Sequence, residues 1–188
     1  MDKTEKTLTS VTEFRGKVLT LYRDTVLTPA GREAEREIVR HRGAVAVAAV
    51  TGQGEIYLVR QYRYALGREF LEIPAGKLEP GEDPAEAALR ELAEETGARA
   101  EKLEPLGVII PTCGYSDEKI YLYLATGLTA GETNFDEDEF LDILKLPLEK
   151  AYDMALRGEI EDAKTLSALC KVNLLYSDKG GAYGKNRR

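Results

Sequence analysis

The chain has 188 residues, enough for one domain with a real core and a small appendage, and too few for two full domains. Its 43% hydrophobic and 31% charged residues describe an ordinary soluble globular protein, and a net charge of −7 excludes a broad cationic surface for nucleic acid while leaving room for a local basic pocket. A single histidine, His41, and two distant cysteines, Cys113 and Cys170, exclude a multi-histidine zinc site, a histidine-based triad and a disulfide framework, so a reducing cytoplasm is the expected compartment.

Met1 to Ser10 is polar and mixed in charge, with no hydrophobic signal segment, and no apolar run approaches the roughly 20 residues of a membrane span. Lys17 to Val26 alternates apolar and polar residues, the pattern of a half-buried strand. Pro29-Ala30-Gly31-Arg32 makes a turn, and Glu35 to His41 is a second strand. Gly43 introduces AVAVAAV, a run suited to a strand buried on both faces. Thr51 to Gly54 is a hairpin signal, and Ile56 to Tyr64 returns as a strand in which Tyr62 reads as core. Glu69 to Pro74 is a short strand that ends in a Pro-Ala-Gly turn.

The clearest helix follows. Asp83 is its N-cap, Pro84 suits the first helical position, Glu86 completes a capping box and Gly97 is the stop. Leu106 to Ile110 and Ile120 to Ala125 are two more strands around a Gly- and charge-rich loop, Cys113 to Lys119. Asn134 to Glu139 is an acidic loop, and Leu141 to Leu146 is a last strand. Leu148 to Arg157 and Ala163 to Tyr176 are closing helices, the second capped by Asp162. The tail, residues 179–188, is low in complexity and reads as disordered. Strands and helices in this order imply an α+β fold, a mixed sheet with helices packed on it.

The helix from Pro84 to Thr96 carries the chemistry. On a 100° wheel, Ala85, Ala88, Leu89, Leu92 and Thr96 form the core stripe. Glu91, Glu94 and Glu95 cluster in an arc of about 100° beside it. Glu91 and Glu95 are at i and i+4, so two like charges stack one turn apart at a cost that a cation offsets. Hard carboxylate oxygens suit Mg²⁺ or Mn²⁺. Arg90, four residues before Glu94, neutralises and orients it.

These glutamates have company at fixed spacing. Gly76, five residues, Glu82, seven residues, then Arg90-Glu91-Leu92-Ala93-Glu94-Glu95-Thr96-Gly97-Ala98 resembles the Nudix hydrolase signature at every fixed position. Seven specified residues at this spacing arise by chance at a given start on the order of once in 10⁸. The resemblance extends from about Phe14 to Leu175 and implies a Nudix fold: an α/β/α sandwich with a mixed sheet and an N-terminal antiparallel strand extension. It further implies cleavage of a nucleoside diphosphate linked to another moiety, with Mg²⁺ (Mn²⁺ as substitute) held by Glu91, Glu95, the Ala75 carbonyl and Glu94, and with Gly76, Glu82 and Arg90 supporting that set.

Outside the signature, Arg36-Glu37-Ile38, Arg60-Gln61-Tyr62-Arg63, Leu71 to Gly76, and Gly158 to Thr165 resemble the ADP-ribose pyrophosphatase branch of the family. That resemblance implies a homodimer formed through residues 1–42, a hydrolase domain over 43–178, and substrate contacts from Arg36, Glu37, Arg63 and Glu118. It assigns Glu139 to metal or general-base work, with Glu137 the second candidate. The reaction it implies is hydrolysis of ADP-ribose or a related sugar nucleotide to AMP and ribose 5-phosphate. The alternatives are another nucleoside diphosphate substrate or a non-catalytic nucleotide-binding regulatory module. Two positions depart from the branch. Thr112-Cys113-Gly114 stands where Ser-Pro-Gly is usual, and Lys17-Val18 where some members stack an aromatic on adenine. His41 reads as structural or surface.

Overall fold

The computed structural model describes residues 2–134 and 140–178. The expected tail, residues 179–188, lies outside them. The chain folds as two units, Met1–Gly43 with Ile110–Lys119, and Ala44–Ile109 with Ile120–Arg188.

The first unit is an antiparallel sheet in the order β1-β2-β3, from Lys6–Arg15, Leu19–Leu27 and Glu33–His41. β1 was not legible as a strand. All ten of its residues are exposed, so it shows no buried face, and its β-branched Thr7, Thr9, Val11 and Thr12 were the available signal. The 110–119 segment docks on β3, where the Val39 N–H donates to the Tyr115 carbonyl at 2.7 Å and the Asp117 N–H to the Val39 carbonyl at 3.2 Å.

The second unit contains β4 (Ala44–Ala49), β5 (Glu55–Arg63), β6 (Arg68–Glu72), β7 (Ala75–Lys77), α1 (Pro84–Thr96), β8 (Ala98–Ile109), β9 (Ile120–Ala130), β10 (Leu141–Pro147), α2 (Leu148–Leu156) and α3 (Ala163–Asp178). One sheet runs β7-β4-β9-β8, with β4 parallel to β9 and its other pairs antiparallel; a second runs β10-β5-β6. The mixed pairing and flanking helices give the α+β class read from the sequence. β4 shows why: Val45, Val47 and Ala49 pack in one core with Ala87, Ala88 and Leu92 of α1. Ala46 and Ala48, on its other face, join Ala168, Leu169 and Val172 of α3. A strand covered by helices on both sides has no polar face, which is what its unbroken apolar run reports.

Several expectations need correction. The Pro-Ala-Gly segment is no turn: Ala75 to Lys77 form β7, paired with β4 at Val45↔Gly76 and Ala46↔Ala75. β8 begins at Ala98, not Leu106; its charged first half and Pro105 masked it, and both are tolerated because β8 is an edge strand with an irregularity between Pro105 and Gly107. Tyr62 is 56% exposed on the open end of β5, so it is not core. On α1 the core stripe is turned from the expected one: Leu89 is 41% exposed and Ala87 is buried in its stead. The helix is rolled so that Glu91 and Glu95 face inward, and a reading that buries only apolar residues misses such a roll. Asp83 caps the helix through the amides of Ala85 and Glu86, but Glu86 returns no bond among the described residues, so the capping box is half made.

Gly97 closes α1 with φ +68° and donates its N–H to the Ala93 carbonyl at 2.9 Å. A Cβ there would also stand 2.5 Å from the Gly131 carbonyl oxygen. Gly97→Ala is therefore expected to lower stability by about 2 kcal/mol or more in a urea titration; an unchanged midpoint would contradict this account of the helix end.

Candidate active site

The α1 glutamates stand on a helix that packs against β4 and β7, the strand that carries Ala75 and Gly76. Glu91 and Glu95 are only 8% and 2% exposed, unusual for carboxylates. The Ala75 N–H donates to Glu95 Oε2 at 3.1 Å. Gly76 lies against Glu91 so closely that a Cβ would fall 1.9 Å from its carboxylate carbon. Glycine is required here for space, since any side chain would expel the carboxylate.

Arg90 gathers the remaining oxygens. It forks onto Glu82, Nε to Oε1 at 2.8 Å and Nη2 to Oε2 at 3.0 Å. Its Nη1 donates to Glu91 Oε1 and to Glu94 Oε2, each at 2.9 Å. Glu82 in turn accepts the Glu79 N–H at 2.9 Å. The Arg90 hydrogen bonds, with that amide, hold the Glu82 carboxyl below the ordinary glutamate range. Glu82, Glu91 and Glu94 thus meet on one guanidinium, and Glu95 joins through the Ala75 amide.

Among the described residues, no three His, Cys, Asp or Glu side chains already form a metal-holding array. The oxygens are turned instead toward Arg90 and the Ala75 amide. The donor set nevertheless fits a hard divalent cation. It offers buried carboxylate oxygens one helical turn apart, with the Glu91 carboxylate seated in the room that Gly76 leaves. Glu137 and Glu139 lie outside the described residues. The chain enters that segment from Asn134, whose N–H donates to the Glu94 carbonyl at 3.1 Å.

The four residues expected to contact substrate are divided between the units. Arg63, at the end of β5, forks onto Glu72 with Nε to Oε1 at 2.7 Å and Nη2 to Oε2 at 2.6 Å. Its charge is within electrostatic reach of Glu95 and Asp162. Arg36, Glu37 and Glu118 lie in the first unit. Arg36 pairs with Glu5, its Nε 2.9 Å from Oε2, while Glu37 is exposed on β3. Glu118 Oε1 is 3.5 Å from His41 Nδ1, the ring nitrogen that accepts the Gly43 N–H at 3.1 Å. The His41 backbone N–H donates to Asp117 Oδ1 at 2.9 Å, and this bond ties the end of β3 to the 110–119 segment, a structural role. The same unit holds the local basic pocket that the composition allowed, a cleft of about 440 Å³ lined by Arg15, Lys17, Arg40 and Arg42.

Sequence reasoning missed the partners of Arg63. Glu72 is 2% exposed and also accepts a hydrogen bond from Lys164 Nζ. Burial alone would push its carboxyl up, but the Arg63 hydrogen bonds and the Lys164 charge outweigh it and hold Glu72 below the ordinary range. The available signal was an acid set between the apolar Leu71 and Ile73, at the end of β6.

Comparison with known proteins follows from this geometry. Residues 39–169 match the NUDIX domain model. The chain is 47% identical over 172 residues to a methanol dehydrogenase activator of Bacillus methanolicus, covering 90% of this chain and 93% of that one. It is 46% identical over 172 residues to an ADP-ribose pyrophosphatase of Bacillus subtilis (strain 168), with the same coverage of both. Among solved structures, it superposes on an ADP compounds hydrolase with a TM-score of 0.84 at 26% identity, over 95% of this chain and 97% of the other.

The depressed carboxyls fix a pH dependence. Glu72 and Glu82 both titrate below the ordinary 4.5, so the unfolded chain binds protons before the folded one does. Their contribution is complete above that value and is lost as pH falls through the folded ones. Urea midpoints are expected to be level between pH 7 and 5.5 and to drop below pH 4.5, less steeply in Glu72→Gln; equal slopes in the two proteins would contradict this.

Proposed function

The chain belongs to the NUDIX domain family, and on that premise we propose that it hydrolyses the pyrophosphate bond of ADP-ribose or a related nucleoside diphosphate sugar, yielding AMP and ribose 5-phosphate from ADP-ribose. The observation that carries the reading is the buried Glu91 and Glu95, the first braced by Arg90 and set against Gly76, the second held by the Ala75 amide. A relative of 46% identity named ADP-ribose pyrophosphatase gives the substrate class.

Mg²⁺, or Mn²⁺ in its place, is the ion assigned to Glu91, Glu95, Glu94, Glu139 and the Ala75 carbonyl. When bound, such an ion neutralises diphosphate charge and acidifies water. The chain's own residues do the rest. Arg90 keeps Glu82, Glu91 and Glu94 from splaying apart, and Gly76 leaves the room in which the Glu91 carboxylate sits. Arg63 donates to a phosphate oxygen. Water adds its hydroxyl to one phosphorus, the bridging P–O bond breaks, and Glu139, or Glu137 in the same loop, takes the proton. Arg36, Glu37 and Glu118 are assigned to the rest of the substrate.

A homodimer is part of the reading. Residues 1–42 are assigned to it because β1 is an edge strand with Leu8, Val11 and Phe14 exposed, an edge that a second copy would cover. Residues 43–178 are the hydrolase domain. No helix among the described residues is long and apolar enough to cross a membrane. Free, exposed Cys113 and Cys170 suit the reducing cytoplasm assigned to the protein. A second reading, a nucleotide-binding regulator, has one observation behind it: the 47% identical relative carries an activator's name. A binding-only module has no need of a carboxylate cluster that costs stability, which favours hydrolysis.

The test is a substrate panel of ADP-ribose, GDP-mannose, diadenosine polyphosphates and nucleoside triphosphates with Mg²⁺. ADP-ribose is expected to be turned over fastest, and Glu95→Gln to lower that rate by on the order of 10²-fold with little change in folding. Fast triphosphate turnover with none of ADP-ribose would overturn the substrate, and retained nucleotide binding without any hydrolysis would favour the regulator.

A further inference from the structure

The segment Glu161 to Thr165, which opens α3, has no part in the chemistry described so far, yet it holds one end of a buried row of charges. Lys164 Nζ donates to Asp162 Oδ1 at 3.0 Å and to Glu72 Oε2. Glu72 in turn takes the Nε and Nη2 edge of Arg63. The side chains of Asp162, Lys164 and Glu72 are 17%, 11% and 3% exposed, and only Arg63, at 40%, reaches solvent. A backbone tie runs alongside. The Ile73 N–H donates to Thr165 Oγ1 at 2.9 Å, and that hydroxyl donates to Asp162 Oδ2 at 2.6 Å. Ile73 is two residues before Ala75, whose amide holds Glu95.

Buried ion rows are poor devices for stability, because desolvation consumes most of what the pairing returns. This one is better suited to presenting a charge. Glu72 occupies one edge of the Arg63 guanidinium and leaves Nη1 without a hydrogen bond among the described residues. A carboxylate paired with a guanidinium alone would cancel its charge. Lys164 shares Glu72 Oε2 with Arg63 Nη2 and balances the second carboxylate of the row, Asp162, so the row is neutral as a whole; without the ammonium the open edge of Arg63 would stand beside a net negative charge.

We infer that Lys164 is a positioning residue that, through Glu72, holds Arg63 with its open Nη1 edge charged and turned to a phosphate oxygen of the substrate diphosphate. This rests on the reading that a diphosphate binds beside α1. It gives the closing segment a part in substrate binding, and it predicts an effect on affinity that a purely structural lysine would not have.

The probe is inorganic pyrophosphate with saturating Mg²⁺, so the outcome does not depend on which nucleotide is the substrate. The readout is the Arg63 Nε–Hε resonance, assigned by its absence in Arg63→Lys. Pyrophosphate is expected to shift that resonance in the wild type. Lys164→Met should weaken its binding about 10-fold, while Lys164→Arg, which keeps the charge, should stay within about 3-fold. In a Glu72→Gln background the Lys164→Met change should cost less than about 3-fold, since Lys164 would have no carboxylate to act through. That pair of variants also serves if Lys164→Met alone does not fold. An unmoved Arg63 resonance, an arginine variant as weak as the methionine one, or full additivity with Glu72→Gln would overturn the inference. A wild type that binds pyrophosphate through Arg63 yet leaves ADP-ribose intact would sink the substrate reading and leave this one standing.

Discussion

Mutual repulsion among carboxylates is the constraint around which the site is built. Glu82, just before the thirteen-residue α1, converges with Glu91, Glu94 and Glu95 of that helix, and two of the four are nearly sealed from solvent. Left alone, such a group would splay apart or take up protons. Three local devices prevent this. Arg90 reaches three of the four with a single guanidinium, the Ala75 amide takes the last, and Gly76 leaves a gap that the Glu91 carboxylate fills. Neutralisation by one arginine is incomplete, and this residual negative charge gives the site its appetite for a dication.

The fold serves that constraint through β4. Because helices cover both of its faces, the strand is fixed without any polar compromise, and β7 is fixed beside it through Val45↔Gly76 and Ala46↔Ala75. β7 is only three residues long, too short to hold itself in place, yet it contributes both the amide for Glu95 and the glycine for Glu91. From the other helical layer, Thr165 at the start of α3 holds Ile73 just upstream of it. The backbone beside the α1 glutamates is thus held by Glu95 of α1 on one side and by Thr165 of α3 on the other.

Local patterns in the sequence carried much of this, and their failures share a cause. Asp83, Pro84 and Gly97 bounded α1 to the residue, because caps and a left-handed stop act on their immediate neighbours. The AVAVAAV run disclosed a strand covered on both sides. What stayed hidden depended on partners distant in the chain. β1 owes its existence to β2, and Leu89 is exposed because the helix rolls to bury Glu91 and Glu95. Glu72 became legible only once Arg63 and Lys164, nine residues before it and ninety-two after, were seen to meet on it. The signature singled out carboxylates that lie together in the fold, but spacing alone could not say which were buried or that one arginine serves three of them. Tyr62 failed for the opposite reason: apolar alternation ran on past the point where β5 leaves the core.

If residual negative charge in a nearly dry pocket is the origin of function, a dication must stabilise the folded protein whether or not any substrate is present. Urea unfolding in EDTA and in increasing Mg²⁺, on the wild type and on Glu95→Gln, measures this directly. The wild type should gain stability with the logarithm of ion concentration, by about 2.7 kcal/mol at a hundred times the dissociation constant, and the variant should gain far less. Superimposable wild-type curves with and without millimolar Mg²⁺, or equal gains in both proteins, would contradict the account.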